Sequence, residues 1–301
     1  MCKRAYNALK RKKQGVIAVS NKNKATAKKK LSGADGFDEY YSALFGARWQ
    51  GLKEALLQEP HYAEWKAGKK SYFLDSGSVR AALSLPLDNA EKILDLCAAP
   101  GGKTLVLSSL MPKDAQLYSN ERSFDRSKRL ERVCDEHLTD EIRKRVTISC
   151  SDGAKWCRKE VEAYDRILLD APCSSERHVL QDAKYLNEWS PSRIKMLAME
   201  QWALLSSAYR LLKPNGFLLY STCALSKSEN DDVVEKVFKK FDDAVLIPVK
   251  EKAELEEQCA PFCSVSLPEI EKTAYGCHVL PDKQNGAGPL YFALISKRER
   301  E

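Results

Sequence analysis

The chain has 301 residues, 44% of them hydrophobic, and a formal net charge of +7. That is enough apolar material for one large core or two small ones. No run of about 18 or more apolar residues is present and the N-terminus lacks an apolar secretory stretch, so neither a transmembrane helix nor export is expected.

In chain order, residues 1–34 carry eleven Lys/Arg and no Asp or Glu, whereas the remainder holds 38 basic and 42 acidic residues, a net of −4. The basic character sits in an N-terminal arm, expected to be disordered and to contact nucleic acid by releasing phosphate counterions. The plainer alternative is a solvated tail. Residues 35–70 read as a helical section, because Tyr40, Tyr41, Leu44, Phe45, Trp49, Leu52, Leu56 and Leu57 recur at steps of three and four.

From Ser71 to the end, short apolar runs alternate with amphipathic stretches. Strands are expected at 92–96, 116–119, 146–149, 166–169, 217–220 and 290–296. Helices are expected from Gly102, over 123–136, near 192–212 and near 230–240. This alternation predicts an α/β fold with a mostly parallel, doubly wound sheet. Lys213-Pro214-Asn215-Gly216 reads as a turn between helix and strand.

The ten cysteines are irregularly spaced, which suits free thiols in a reducing, intracellular setting and not a disulfide framework. Cys259, Cys263 and Cys277 faintly suggest zinc-ligand spacing, but buried thiols are the preferred reading. No metal is expected.

The chemistry-bearing residues gather at strand ends, which share one rim in a parallel sheet. Leu96–Thr104 follows a strand and opens a helix; Gly101 and Gly102 permit close backbone approach, and the helix start offers N–H groups to an anion. It is not the dinucleotide fingerprint, which argues against a dehydrogenase. Glu121 ends the next strand and suits a ribose diol; Asp152 follows the third and suits an adenine amine. Either acid alone also reads as a surface or capping residue. Two further strands end in Asp170-Ala171-Pro172-Cys173 and Ser221-Thr222-Cys223. An acid, a lysine and two thiols beside a nucleoside pocket point to covalent catalysis.

Leu94–Thr104, Asp170–Cys173 and Ser221–Cys223, in that order and spacing, resemble the RNA 5-methylcytosine methyltransferases of the NOL1/NOP2/Sun (RsmB/RsmF-like) family. Ser175–His178 and Asp152–Trp156 are most similar to its mitochondrial ribosomal-RNA branch and bacterial relatives. The resemblance implies a Rossmann-like class I methyltransferase fold: a mostly parallel seven-stranded sheet with helices on both faces, over residues 71–301, preceded by the helical section 35–70 and the arm 1–34. It implies S-adenosylmethionine bound by Cys97, Ala98, Ala99, Pro100, Gly101, Gly102, Lys103, Glu121, Arg126, Asp152, Gly153 and Asp170. It implies Cys223 as nucleophile, Cys173 in product release, and Asp170 and Lys103 at the target base, with Arg177 and His178 available to phosphates.

The chain departs from the family pattern at Glu121 (usually Asp), Ala224 (usually Ser), Asp231 (often Glu) and Leu74 (usually Gln), none of which removes a catalytic group. The implied partner is RNA, with rRNA favoured over tRNA, handled by a monomer with or without a targeting protein and no membrane. The expected location is cytoplasmic, with a mitochondrial alternative. The competing readings are a methyltransferase of amines, for which two thiols have no use, and a non-catalytic RNA-binding assembly factor, which would not need Cys223 or Lys103.

Overall fold

The computed structural model describes residues 31–299. The basic arm therefore lies outside the described residues except for its last four, and these are not part of a tail. Leu31 packs against the aromatic cluster of the helical section, and Gly33 N–H donates to Trp189 O at 2.9 Å. The first helix, α1, runs Gly33–Phe45, so the expected boundary at residue 34 falls inside it.

A 3-10 turn leads into α2 (Trp49–Leu57). Phe37, Tyr41, Trp49, Leu52 and Leu56 are buried against Val179, Trp189, Ile194 and Leu225. Burying each such side chain is worth ~1.5–3 kcal/mol, so the section is anchored by packing and not by helix propensity. Helix ends there. Residues 62–70, expected as helix, instead open a hairpin of β1 (Tyr62–Lys66) and β2 (Ser71–Asp75). The β1 burial pattern alternates strictly, with Ala63 and Trp65 inside, which is the period of a strand. Trp65 stacks on Phe262 at 5.4 Å between ring centroids.

After α3 (Ser76–Leu83) the order is β3 (Lys92–Asp95), α4 (Gly102–Leu110), β4 (Gln116–Asn120), α5 (Phe124–His137), α6 (Asp140–Arg143), β5 (Val146–Ser149) and β6 (Tyr164–Asp170). Then come α7 (Glu176–Gln181), α8 (Ala183–Asn187), α9 (Pro191–Leu211), β7 (Leu212–Thr222), α10 (Asp231–Lys240), β8 (Ala244–Ile247), α11 (Lys252–Cys259), β9 (Glu271–Lys272), β10 (Cys277–Val279) and β11 (Leu290–Lys297). The strands lie in the order β5-β4-β3-β6-β7-β11-β10-β9, with β8 also on β11. β3 to β7 are mutually parallel; β11 is antiparallel to β7 and to β8.

The expected seven-stranded sheet is thus present as β3–β8 plus β11, and the short ribbon β9–β10 raises the total to nine strands. Two- and three-residue strands leave no periodicity to read. Lys213–Gly216 loop out of β7, whose pairing with β6 jumps from Tyr164–Leu212 to Arg166–Phe217; Asn215 takes the left-handed φ of +61° that such an excursion needs.

Both sheet faces are covered. Along β6, Leu168 joins one core cluster while Ile167 and Leu169 join the other; along β11, Phe292 and Leu294 face one way and Tyr291, Ala293 and Ile295 the other. The chain crosses from β5 at one edge to β6 beside β3, so the carboxyl ends of β3 and β6 diverge and leave a crevice.

Candidate active site

β6 and β7 are adjacent and parallel, with Asp170 paired to Ser221. Their following residues leave the sheet at one level, which brings Cys173 Sγ within 2.6 Å of Cys223 Sγ. Both are free thiols and part-exposed. Their mutual hydrogen bond, then burial, push the Cys173 thiol well above its ordinary range.

Asp170 accepts from Ser221 Oγ at 2.8 Å and from Lys103 Nζ at 2.7 Å, and Lys103 also donates to Ser78 Oγ at 3.1 Å. Burial alone would lower the Lys103 ammonium; the Asp170 carboxylate outweighs it, with a further contribution from Cys223, and holds it above its ordinary value. The lysine is therefore a fixed cation close enough to Cys223 to feel its charge, in the cavity both thiols line.

A cavity of about 900 Å³ runs from the thiols along the rim of β3 and β4. It is lined by Cys97, Ala99, Pro100, Lys103, Glu121, Arg126, Asp152, Gly153, Asp170, Cys173 and Cys223, eleven of the fourteen residues expected at the site. Ala98 and Gly102 line a smaller space of about 200 Å³ behind Lys103, and Gly101 lines neither.

The glycine pair serves packing more than ligand approach. Gly101 holds φ at +118°, and a Cβ there would press on Val133 and Leu130 at 3.0–3.1 Å; one on Gly102 would meet Tyr72 at 3.0 Å. The loop is further held by Arg126, which donates to Ala99 O at 2.7 Å.

Glu121 is 4% exposed. Its Oε1 accepts from Ser123 N–H at 2.9 Å, while Oε2, 3.3 Å from Arg126 Nη1, has no hydrogen bond. A buried carboxylate oxygen with spare acceptor capacity on a cavity wall fits a ligand hydroxyl. Asp152 is more committed: Oδ1 caps the following 3-10 turn through Ala154 N–H at 3.1 Å and Oδ2 pairs with Lys155 at 3.0 Å. The Lys155 bond holds its carboxyl below the ordinary value.

Asn120, which the sequence reading passed over, ties three strand ends together. Its Nδ2 donates to Leu96 O and Ser151 O, and its Oδ1 accepts from Ser151 N–H, all at 3.0 Å. Its signal was position alone, one residue before Glu121.

Arg177 lines the cavity, but its donors are engaged by the backbone. Its guanidinium donates five bonds to the carbonyls of Leu56, Gln58, Gly286 and Gly288 at 2.6–3.2 Å, clasping the end of α2 to the loop before β11. His178 does line the cavity. Cys259, Cys263 and Cys277 are buried in the main core.

Residues 82–295 match the family model described as 16S rRNA methyltransferase RsmB/F. The chain is 34% identical over 239 residues to the Mus musculus protein named 5-cytosine rRNA methyltransferase NSUN4, covering 75% of this chain and 60% of that one. It is 32% identical over 247 residues to the Danio rerio mitochondrial tRNA (cytosine(34)-C(5))-methyltransferase, covering 79% and 63%. It thus spans about three fifths of the length of these relatives. A methyltransferase homologue from Pyrococcus horikoshii superposes with a TM-score of 0.69 at 21% identity, over 89% of this chain and 96% of that one, a likeness of fold.

Proposed function

Because the chain belongs to the RsmB/F rRNA methyltransferase family, we propose that it methylates C5 of a cytosine in RNA, rRNA in the first instance, with S-adenosylmethionine as donor. The observation that carries this reading is the pair of thiols at the ends of adjacent strands, flanked by the Lys103–Asp170 ion pair. A methyltransferase of amines has no use for them.

S-adenosylmethionine, when bound, supplies an electrophilic methyl group. Glu121 suits its ribose hydroxyls, Asp152 its adenine edge, and Cys97–Lys103, Arg126 and Gly153 the walls of its pocket. Cytosine C5 is a weak nucleophile until a thiolate adds at C6 and turns C4–C5–C6 into an enamine. We assign that addition to Cys223. The choice follows the family's Thr-Cys motif, which Thr222-Cys223 matches, and a cation such as Lys103 near the reacting thiol favours its thiolate.

Asp170, fixed by Ser221 and Lys103, faces the base and bonds its N3/N4 edge. Once C5 carries its methyl group, a proton acceptor takes the C5 proton, the C–H electron pair restores the C5=C6 bond, and the C6–S bond breaks to return Cys223 as the thiolate. Cys173, in contact with Cys223, is placed to serve that release. A stacked base cannot reach the thiols, so the substrate is single-stranded or flipped.

Cys223→Ala should give neither product nor adduct. Cys173→Ala should accumulate a protein–RNA species that survives denaturing electrophoresis. The reverse pattern would make Cys173 the nucleophile. Bisulfite sequencing of RNA from cells with and without the protein identifies the target and separates rRNA from tRNA. The monomeric state, any targeting protein and the choice between cytoplasm and mitochondrion belong to the same proposal, and sizing and fractionation test them.

A further inference from the structure

Behind the thiol loops lie two buried carboxyl groups that no step above uses. Glu176 opens α7 just after Cys173, and Glu229 ends a 3-10 turn just after Cys223. Both are 0% exposed. The hydroxyl of Ser174 reaches both: it bonds Glu176 Oε1 and lies 2.6 Å from Glu229 Oε2.

A hydroxyl has one proton and can donate to only one of them. Glu176 is saturated with donors, for Tyr41 O–H also reaches Oε1 and Leu225 N–H reaches Oε2 at 3.0 Å. Glu229 Oε1 accepts from Ser174 N–H at 2.9 Å and Gln201 Nε2 at 3.0 Å. Of the four carboxyl oxygens, Glu229 Oε2 is the one that meets no donor besides the Ser174 hydroxyl, so it is the best placed to hold the proton. The proton count closes if Glu229 donates to Ser174 Oγ and Ser174 donates on to Glu176.

We propose that Glu229 carries a proton on Oε2, and that the chain Glu229–Ser174–Glu176–Tyr41 positions the two thiol loops against each other. The inference rests on the reading of the thiols given above.

The bonds cross between the loops. Ser174 N–H reaches the segment after Cys223, Leu225 N–H reaches the segment after Cys173, and Gln201 Nε2 joins Pro172 O at 2.8 Å to Glu229. Tyr41 brings α1 into the same clasp. Burial first, then the neighbouring Glu176 charge, push Glu229 up to about 7; burial raises Glu176 as well.

The titratable groups facing Glu229 are Glu176, Cys173, Tyr41 and Tyr220. On its own segment Lys227 is paired with Asp232, and Asp231 is bonded by Thr273 and Tyr291. As pH rises through the Glu229 range, Ser174 comes to face two carboxylates and the clasp loosens.

Three variants test this. Gln at 229 imitates the protonated acid, so Glu229→Gln should keep activity within about threefold near neutral pH. Its activity relative to wild type should then climb towards about pH 9. Glu176→Gln turns an NH2 toward donors and should lose about tenfold or more at every pH. Tyr41→Phe should fall between.

Two readouts need no substrate. With glutamate carboxyls isotope-labelled, infrared spectra near about pH 6 should show a protonated glutamate band that Glu229→Gln abolishes. Maleimide labelling of Cys173 and Cys223 should change in Glu176→Gln and stay near wild type in Glu229→Gln. A missing band, a flat pH ratio, or tolerance of Glu176→Gln over Glu229→Gln overturns the proposal. If band and labelling behave as stated while no RNA is methylated, the functional reading fails and the clasp stands.

Discussion

Removing the Arg177 guanidinium gives a sharp test of whether this side chain serves the fold or the substrate. Arg177→Ala deletes five bonds to four carbonyls. Gln58 O is at the exposed end and recovers water, whereas Leu56, Gly286 and Gly288 are partly enclosed. Three enclosed acceptors losing their donors at about 1 kcal/mol each give a loss of about 3 kcal/mol.

Arg177→Lys keeps the charge but presents one ammonium, which cannot reach carbonyls on both flanks, so about 2 kcal/mol should still be lost. Urea unfolding at constant m-value measures both. A phosphate-binding arginine would behave otherwise: stability would hold, the lysine variant would bind RNA nearly normally, and the alanine variant would lower the salt slope by about one. Stability within about 1 kcal/mol of wild type in Arg177→Ala refutes the clasp.

Two further outcomes are expected. Glu121→Ala should weaken S-adenosylmethionine binding by about tenfold or more, but Asp152→Ala, whose carboxylate is already taken up by Lys155 and a turn, by only about threefold; calorimetry giving equal losses would count against the division of labour. Asp95 is fully buried and pushed up to about 7, chiefly by burial, from an unfolded value of about 3.9. The folded state thus holds its proton more tightly, and the stability this group contributes, complete below about pH 4, should fall as pH rises to about 7 and then level off, by an amount on the order of 4 kcal/mol. Asp95→Asn should flatten that decline in a pH series of urea melts; parallel curves would show that another group governs it.

The thiols were legible in the sequence because each ends an apolar strand, and parallel strands share a rim. Glu121 and Asp152 were legible for the same reason. Asn120 and Arg177 were not, since their partners are backbone groups far along the chain, and backbone groups leave no mark in a sequence. Residues 62–70 leave the helical section because Gln58-Glu59-Pro60-His61 breaks the three-and-four spacing that ends at Leu57, and Ala63 and Trp65 then alternate with polar neighbours at the period of a strand. The β9–β10 ribbon is too short to signal itself. The Glu229–Ser174–Glu176 chain needed distances, because protons can only be counted once the acceptors are known.

The placement of β11 has a consequence in time. It pairs with β7 from Tyr291–Thr222 to Ser296–Phe217 and lies between β7 and the outer strands β8 and β10. The strand that carries Cys223 therefore has an open flank until residues 290–297 have been synthesised. Contacts spanning such sequence distances form late. On a growing chain the nucleoside-facing half, β3 to β5, can assemble early, while the thiol-bearing edge waits for the last strand. A reactive pair of sulfurs is thus completed only when nearly the whole described chain is available to enclose it.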